Sequence, residues 1–465
     1  MVHEKSLVSS SLRLLYTDRE QKTMKQVPSL VKQLARQTRG KVLIVGSLTS
    51  EQRERSTYHA ILQSAQRSGV PIVPYCPPIR LGDDDSPAGL IDHVIDGLAM
   101  ARRTGCASVL VVGGGSTIDV AKNIATLLSS NVAAETLTNP ATRDAILADA
   151  LHPTSSSPHT QTTTPPPTTP VIAVPTSFHG CVAASSNKTY ATDAQEGAVI
   201  ELSSDRLDLS GGMHVVVDPT LLATSSPMTC AEGAVSSLAR LSDALLINEG
   251  GKDDIGKDGG VALGELLSTV KYLLDECFSL YDNRLPLMSN WVKTYEQEES
   301  IMEQYGAIGC VVGSCISLGG PGITQSMARV VASNYNVSFG QASALLLPHI
   351  CQIQMDRLNA LNNEEAKRGV DVHVENVQFR EKNMYQAFER IRSHVLLPKP
   401  STDELKELTT SIMMDECFKQ AVVEDNGGKT WTRKVVGALL DDSFEFLVSE
   451  AEEQSAGEQE QKESV

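Results

Sequence analysis

The sequence lacks a long uninterrupted apolar run and lacks an excess of positive charge. No segment approaches the roughly 18 consecutive apolar residues that a membrane-spanning helix requires. Acidic residues number 57 against 40 basic ones, which gives a formal net charge of −17. A chain this acidic is a poor partner for nucleic acid or for an anionic membrane surface. We therefore expect a soluble protein that acts on a small molecule.

The first residues of the chain lack the apolar segment of a secretory signal. We therefore expect a cytoplasmic protein. A mitochondrial presequence is the alternative, because several basic residues follow, although Asp18 and Glu20 between them count against it. The basic residues are Arg13, Arg19, Lys22 and Lys25.

The nine cysteines show no tight pairing pattern. An odd number of cysteines scattered over 465 residues argues against a disulfide framework. The closest pair, Cys310 and Cys315, lacks the spacing of a zinc site. We expect free thiols in a reducing compartment.

Short apolar runs alternate with helical stretches in the first half of the chain. This alternation predicts a parallel sheet with helical crossovers. Beyond residue 218 the apolar spacing is helical. The predicted strands are 41–45, 70–73, 108–112 and 171–174; the predicted helices include 57–68, 90–103, 263–274 and segments around Met327, Leu346 and Phe388.

The predicted architecture is an α/β nucleotide-binding domain (1–217) followed by an all-helical domain (218–449). A Thr/Pro/Ser-rich insertion at about 139–170 and an acidic tail at 450–465 are predicted to be disordered. We interpret the insertion as a passive loop. The alternative is a lid over the site, because the insertion ends at a strand that carries a motif.

A glycine-rich turn joins the third predicted strand to a helix, in the sequence GGGSTIDVAK from Gly113 to Lys122. Glycine permits a phosphate to approach the backbone closely and adopts positive φ without strain. The N–H groups and dipole of the following helix favour a pyrophosphate. The turn predicts a dinucleotide site that includes Gly113, Gly114, Gly115, Ser116, Asp119 and Lys122; a tight turn without a ligand is the alternative. Asp119 has the alternative role of bracing the turn.

This turn resembles the GGGSxxDxAK motif of the iron-containing alcohol dehydrogenase and maleylacetate reductase family, which has a dehydroquinate synthase-like fold. Further landmarks follow in order: Pro175-Thr176-Ser177 is similar to a family loop beside the cofactor, Asp218-Pro219 with Pro227 to the entry of the helical domain, and Leu346-Leu347-Pro348-His349 to a helix end. The resemblance implies that Thr176 and Ser177 lie near the nicotinamide. It also implies NAD or NADP as cofactor and a homodimer.

The side chains that hold the metal in this family are replaced. The family binds one divalent ion through Asp-x-x-x-His on one helix and two further histidines. Matched without gaps, the first pair falls on Ser236 and Arg240, and the other two ligands fall on Gln325 and Phe339. These side chains make no usable iron or zinc site. We therefore expect no metal at this position.

Two arginines offer a substitute for the metal's positive charge. Arg240 replaces a ligand, and Arg329 replaces a histidine that in the family lies near the nicotinamide. Guanidinium groups can stabilise a developing alkoxide or hold a carboxylate. Structural ion pairs are the alternative role. The resemblance also places His179 beside the nicotinamide as a candidate acid, against a loop histidine with no role, and nearby Cys181 lacks a base partner.

Ser47 bears on the choice of cofactor. The family often has an Asp at this position, which holds the adenosine ribose and repels a 2′-phosphate. A neutral Ser47 removes that repulsion and permits NADP; a turn-capping serine is the alternative.

The sequence thus predicts a metal-independent NAD(P)-dependent oxidoreductase that acts on a small oxo substrate. The substrate can be an anion. Two alternatives stay open. One is a non-redox isomerase, cyclase or lyase that uses the same cleft between the domains. The other is a catalytically inactive binding or scaffold protein.

Overall fold

The computed structural model describes residues 4–6, 13–16, 22–46, 52–76, 89–129, 169–186, 188–192, 199–203, 213–223, 225, 227–250, 272, 295–316, 322–335, 337–366, 400–415, 418–419, 421–422 and 430–444. Most of the predicted insertion, the acidic tail, Ser47, Phe388 and nearly all of the predicted helix 263–274 lie outside these residues. By contacts, the chain divides into two compact units. The first comprises Met1–Thr229 and Arg284–Leu318, and the second Cys230–Asn283 and Gly319–Val465.

The first unit is built on a seven-stranded sheet in the order β1-β2-β10-β7-β6-β3-β4. All neighbouring pairs are parallel except β1 with β2. The central strands are almost fully buried and rich in Val and Ile, as expected where helices cover both faces. Their bounds are β1 Glu4–Ser6, β2 Arg13–Tyr16, β3 Lys41–Gly46, β4 Ile72–Tyr75, β6 Cys106–Gly113, β7 Val171–Pro175 and β10 Met213–Val217.

A smaller three-stranded sheet in the first unit has the order β5-β8-β9. It consists of β5 Gly89–Leu90, β8 Lys188–Thr192 and β9 Val199–Ser203, and β8 pairs antiparallel with β9. The helices of this unit are α1 Lys22–Thr38, α2 Gln52–Arg67, α3 Ile91–Thr104, α4 Gly115–Ser129, α5 Phe178–Ser185, α6 Pro219–Leu222 and α8 Tyr295–Ile316, with the start of α7 Pro227–Gly250.

The long helix α8 is grouped with the sheet of the first unit, which the sequence did not predict. Three glycines one or two turns apart form the face of α8 that packs on the rest of this unit. A Cβ on Gly309 would lie 2.8 Å from the Cβ of Cys181, and a Cβ on Gly313 would overlap Ser185 and Val182 of α5. A Cβ on Gly306 would lie 2.6 Å from Val217. The missing side chains therefore allow α8 to pack at close range.

The second unit is helical in every part that the structure describes. It contains most of α7, then α9 Ile323–Tyr335, α10 Phe339–Ala366, α11 Thr402–Met414 and a last helix, α12, over residues 433–444. Helix α11 begins with a capping box, in which Ser401 and Glu404 each accept the other's backbone N–H. Leu345, Leu346 and Leu347 of α10 are fully buried. The helix end expected at Pro348-His349 is wrong, because α10 continues through Pro348 to Ala366.

The predicted fold class is confirmed: an α/β unit with a parallel sheet and a helical unit. All four predicted strands exist, to within two residues at each end. Strands β1, β2, β10 and the small sheet were missed. Among the described residues, no helix is long and apolar enough to cross a membrane.

The two described residues that flank the segment 130–168 are hydrogen-bonded to each other. The Oγ of Ser129 donates to the Oγ1 of Thr169 at 2.9 Å, and the backbone N–H of Thr169 donates to the Oγ of Ser129 at 2.8 Å. Ser129 ends α4 and Thr169 precedes β7, so both lie at the amino edge of the sheet. The glycine turn lies at the carboxyl edge. The role of the segment between these two residues stays a prediction.

Candidate functional site

The glycine turn lies where a central strand ends and a helix begins. Strand β6 ends at Gly113, and α4 begins at Gly115. The first helical hydrogen bond of α4 runs from the N–H of Ile118 to the carbonyl of Gly114, at 3.1 Å. The N–H groups of Gly115, Ser116 and Thr117 therefore precede the helical ladder and point along the axis where the dipole is positive. This is a suitable geometry for a pyrophosphate.

The turn needs glycine for close packing rather than for positive φ. The described glycines with positive φ are Gly69 and Gly105, so Gly113, Gly114 and Gly115 do not use that conformation. A Cβ on Gly113 would lie 2.8 Å from the Cβ of Thr117, and one on Gly115 would lie 3.3 Å from the Cβ of His179. Gly114 has more room, because its Cβ would meet only the Oγ of Ser177 at 3.4 Å.

The order of strands points to the same place. From β3 the chain passes outward to β4, then returns to place β6 on the other side of β3. In open α/β sheets, ligands bind at the carboxyl ends of the strands where the order reverses in this way. Here that point lies between Gly46, which ends β3, and Gly113, which ends β6. Ser47 follows Gly46 and lies outside the described residues, so its proposed role stays a prediction.

Lys122 is buried within the first unit and caps a helix. Its side chain is fully buried. The Nζ donates to the carbonyl of Ala183 at 2.7 Å and to the carbonyl of Ser186. These carbonyls lie at the carboxyl end of α5, where a cation is favourable to the helix dipole. The structure thus shows Lys122 joining α4 to α5, a role that the sequence did not predict. Asp119, one turn into α4, is also buried.

Thr176 and Ser177 connect β7 to α5 and are both held by hydrogen bonds. The N–H of Thr176 donates to the carbonyl of Gly113 at 3.1 Å, which brings this loop beside the glycine turn. The Oγ of Ser177 accepts from the N–H of Gly180 at 3.1 Å and caps the start of α5. The structure therefore brings both residues to the glycine turn, and their predicted position near the nicotinamide stays a prediction.

His179 lies in the first turn of α5, next to Gly115. Its side chain is half-buried. Cys181, two residues further, is fully buried. Burial, together with Cys310 beside it, raises the pKa of the Cys181 thiol well above its ordinary range. A thiol in this state is a poor nucleophile, which agrees with the absence of a predicted base partner.

The positions of the replaced metal ligands come together within the second unit. Ser236 and Arg240 lie one turn apart on α7, Gln325 and Arg329 lie one turn apart on α9, and Phe339 begins α10. The guanidinium carbon of Arg240 lies 5.3 Å from the centre of the Phe339 ring. Arg329 is 5% exposed, so its charge lies inside the unit. The Oγ of Ser236 donates to the carbonyl of Gly233 at 3.0 Å.

Asp243 fixes the start of the helix that carries Gln325 and Arg329. Its carboxylate accepts from the N–H and the hydroxyl of Thr324 at 3.2 and 2.8 Å, and from the N–H of Gln325 at 3.1 Å. It is 3% exposed. A Cβ on Gly322 would collide with this carboxylate, so the position must be glycine. Asp243 was not predicted as a site residue; its signal was an acidic residue among the apolar residues of α7.

Glu232 makes the corresponding contact with the start of α10. Ser338 caps α10 with Gln341 in the third helical position, and both side chains hydrogen-bond Glu232. Burial raises the pKa of Glu232 above its ordinary value, against the opposing effect of these hydrogen bonds. A Cβ on Gly340 would lie 2.5 Å from the Cβ of Glu232. Sequence reasoning missed this residue as well.

The donor set at these positions does not fit the family's metal ion. A serine, an arginine, a glutamine and a phenylalanine offer neither the charge nor the nitrogen ligands that iron or zinc requires. Among the described residues, no group of three or more His, Cys, Asp and Glu side chains could hold a metal.

Comparison with known proteins identifies the relatives of this chain. Residues 19–207 match the family model of the iron-containing alcohol dehydrogenases. The predicted resemblance is confirmed. The matched region contains the glycine turn and the Pro175-Thr176-Ser177 loop. No curated protein sequence matches the chain.

Solved structures extend the likeness in fold over almost the whole chain. NADH-dependent butanol dehydrogenase A from Thermotoga maritima is 13% identical with a TM-score of 0.63, and 94% of this chain covers 98% of that one. An archaeal halo-thermophilic Red Sea brine pool alcohol dehydrogenase is 16% identical with a TM-score of 0.64, at the same coverage. Sulfoacetaldehyde reductase from Bifidobacterium kashiwanohense, solved with NAD⁺, is 15% identical with a TM-score of 0.60, covering 95% and 98%. At these identities the likeness shows a shared fold.

Proposed function

We propose that this chain is an NAD(P)-dependent oxidoreductase that interconverts a small alcohol and its oxo form without a metal. The observation that carries the proposal is the turn from Gly113 to Gly115, which opens α4 where the strand order reverses. A nicotinamide cofactor bound there would supply the hydride acceptor or donor. The residues of the chain then have to bind it, orient it and manage charge.

The first unit supplies the binding groups. The N–H groups of Gly115, Ser116 and Thr117 would hold the pyrophosphate, because they stand at the positive end of α4. Gly114 leaves room for a phosphate to reach the backbone. Thr176 and Ser177 would line the nicotinamide end, since the hydrogen bond from Thr176 to Gly113 fixes this loop beside the turn. Lys122 acts indirectly, by holding α5 to α4.

The second unit supplies fixed positive charge. Arg240 and Arg329 occupy positions that in the family belong to a metal ligand and to a histidine near the nicotinamide. We propose that they stabilise the oxygen of the substrate as it gains negative charge, or hold a carboxylate on the substrate. An anionic substrate follows from this pairing of cations. His179 of the first unit is the proposed proton donor.

The test is a titration of purified, metal-analysed protein with NADH and with NADPH, followed by nicotinamide fluorescence. We expect saturable binding of at least one cofactor and no stoichiometric metal. Gly114→Asp should abolish binding, because it places a negative charge at the proposed phosphate position. Gly114→Ala is the matched control and should bind, since its Cβ would meet only Ser177 at 3.4 Å.

The outcomes separate the rival functions. Absence of binding for both cofactors would overturn the redox proposal and leave non-redox chemistry or a scaffold role. If Gly114→Asp and the wild type bind the cofactor with equal affinity, the glycine turn is not part of the cofactor site. If cofactor binds, a screen of oxo acids and neutral aldehydes follows. Arg240→Gln and Arg329→Gln should then lower kcat/KM, while the affinity for the cofactor stays unchanged. An unaltered kcat/KM would show that both arginines have a structural role only.

A further inference from the structure

A pocket in the first unit, away from the glycine turn, is lined by basic side chains. It has a volume of about 580 Å³, within the range of small-molecule sites. Its walls come from α1, the segment that joins α1 to β3, and the turns after α2 and α3. The lining cations are Lys32, Arg36, Arg39 and Lys41, and no lining residue is acidic. In a chain with net charge −17 this is a local reversal of sign.

These cations are not explained by ion pairs within the described part of the chain. No carboxylate among the described residues pairs with Lys32, Arg36, Arg39 or Lys41. Helix dipoles account for one of them, because Arg36 lies in the last turn of α1, where a cation is favourable. Lys32 lies a turn earlier, and Lys41 begins β3. Moreover, Lys32 and Arg36 are four residues apart on one helix, a like-charge spacing that destabilises it.

Three residues with left-handed backbone line the pocket, and each follows the end of a helix. Arg39, with a φ of 53°, follows α1, and Gly69 and Gly105, with φ of 67° and 75°, follow α2 and α3. Such residues commonly end helices, and glycine is usual there because it has no Cβ. Arg39 is the non-glycine residue of the three, and it places a cation at the pocket.

We propose that this pocket is a second anion site, which binds an oligophosphate group, either free or attached to a nucleoside. Four cations around one open volume match an anion with three or more negative charges. The pocket lies at the amino edge of the sheet, because Lys41 begins β3 and Gly105 precedes β6. The glycine turn follows the carboxyl end of β6. At about 3.3 Å per residue, β6 separates the two places by roughly 25 Å. The pocket is therefore distinct from the proposed cofactor site.

The experiment is a calorimetric titration of the full chain with inorganic tripolyphosphate at an ionic strength of about 0.15 M, where exposed charges more than about 8 Å apart are largely screened. We expect saturable binding at one site. The double variant Arg36→Gln/Lys41→Gln should lose at least about tenfold in affinity, because each charge-assisted contact contributes that order. Arg67→Gln/Arg103→Gln is the matched control: it removes two exposed cations of the same unit that do not line the pocket, and it should bind within about twofold of the wild type. ATP in place of tripolyphosphate distinguishes the sources, because tighter binding of ATP would show that a nucleoside is also recognised.

Arg39→Gly gives a second, independent readout. Glycine accommodates positive φ, so this variant should be at least as thermally stable as the wild type, yet it should bind tripolyphosphate more weakly. Gly114→Asp should retain tripolyphosphate binding, which separates this proposal from the cofactor site. Three results would overturn the second site: no binding to the wild type, an equal loss in both double variants, or loss of binding in Gly114→Asp.

Discussion

The guanidinium carbon of Arg240 lies 5.3 Å from the centre of the Phe339 ring. The two residues are almost a hundred positions apart, and both occupy positions where the family resemblance places metal ligands. Their contact is what a gap-free match of both segments requires. A cation stacked on an aromatic ring thus connects α7 and α10 at this point.

This stacking should be measurable as a coupling free energy. A double-mutant cycle of Arg240→Gln and Phe339→Leu, followed by urea denaturation, should give about 0.5–1 kcal/mol, the usual range for a cation over a ring. The control cycle pairs Arg240→Gln with Phe418→Leu, a buried residue of the same unit, and should give additive effects. Additivity in the first cycle would mean that the contact contributes nothing to stability.

The hydrogen bonds of Lys122 predict a loss of stability rather than a specific loss of cofactor affinity. Lys122→Met removes the donor to the carbonyls of Ala183 and Ser186, and should destabilise the chain by about 2–4 kcal/mol, since buried acceptors lose their partner. Thermal and urea unfolding check this. Lys406→Met, at an exposed lysine, should leave the melting temperature unchanged. A stable Lys122→Met variant that no longer binds NAD(P)H would instead assign Lys122 to the cofactor.

The raised pKa of Glu232 predicts how stability depends on pH. Burial favours the neutral carboxyl in the folded state, so the stabilising contribution is complete below the unfolded pKa and is lost as pH rises through the folded pKa. Glu232→Gln keeps a neutral hydrogen-bonding group, and should therefore be more stable than the wild type at pH 7–8. The difference should vanish near pH 4. Urea midpoints at several pH values measure it, and a constant difference would contradict the prediction.

The glycine face of α8 predicts opposite effects for the same substitution at two helical glycines. Gly313→Ala would bring a Cβ into contact with Ser185 and Val182, and should destabilise by about 1–3 kcal/mol. Gly437→Ala, in α12, has its nearest neighbour at 3.7 Å and should be neutral or stabilising by up to about 1 kcal/mol. The melting temperatures of the two variants, each compared with the wild type, measure this difference. Equal changes in melting temperature would show that α8 does not pack as described.

The sequence predicted the parts of the fold that are locally encoded. Runs such as Lys41–Gly46 and Val171–Pro175 are apolar and β-branched, so they indicate buried strands without further information. Strand β10 was missed, although its Val215, Val216 and Val217 are fully buried, because so short an apolar run does not by itself distinguish a strand from a helix. The grouping of α8 with the sheet depends on contacts between distant residues, which periodicity does not contain.

The candidate site likewise contains residues that local sequence predicts and residues that it does not. The glycine turn and the Pro175-Thr176-Ser177 loop were found from local sequence, and the structure places them side by side. Glu232 and Asp243 were missed, because their role depends on helix starts about 80 to 110 residues further along the chain. A carboxylate that caps a distant helix leaves no spacing signal. Asp243 could have been suspected only as a charge within an apolar helix.

The ammonium group of Lys122 has a consequence for the thermodynamics of ligand binding. Because it fastens the carboxyl end of α5 to α4, the helix start that follows Ser177 and the one that follows Gly114 are held in one arrangement before any ligand arrives. Little conformational entropy then has to be lost when a dinucleotide binds. A preorganised site of this kind retains more of its interaction energy as affinity.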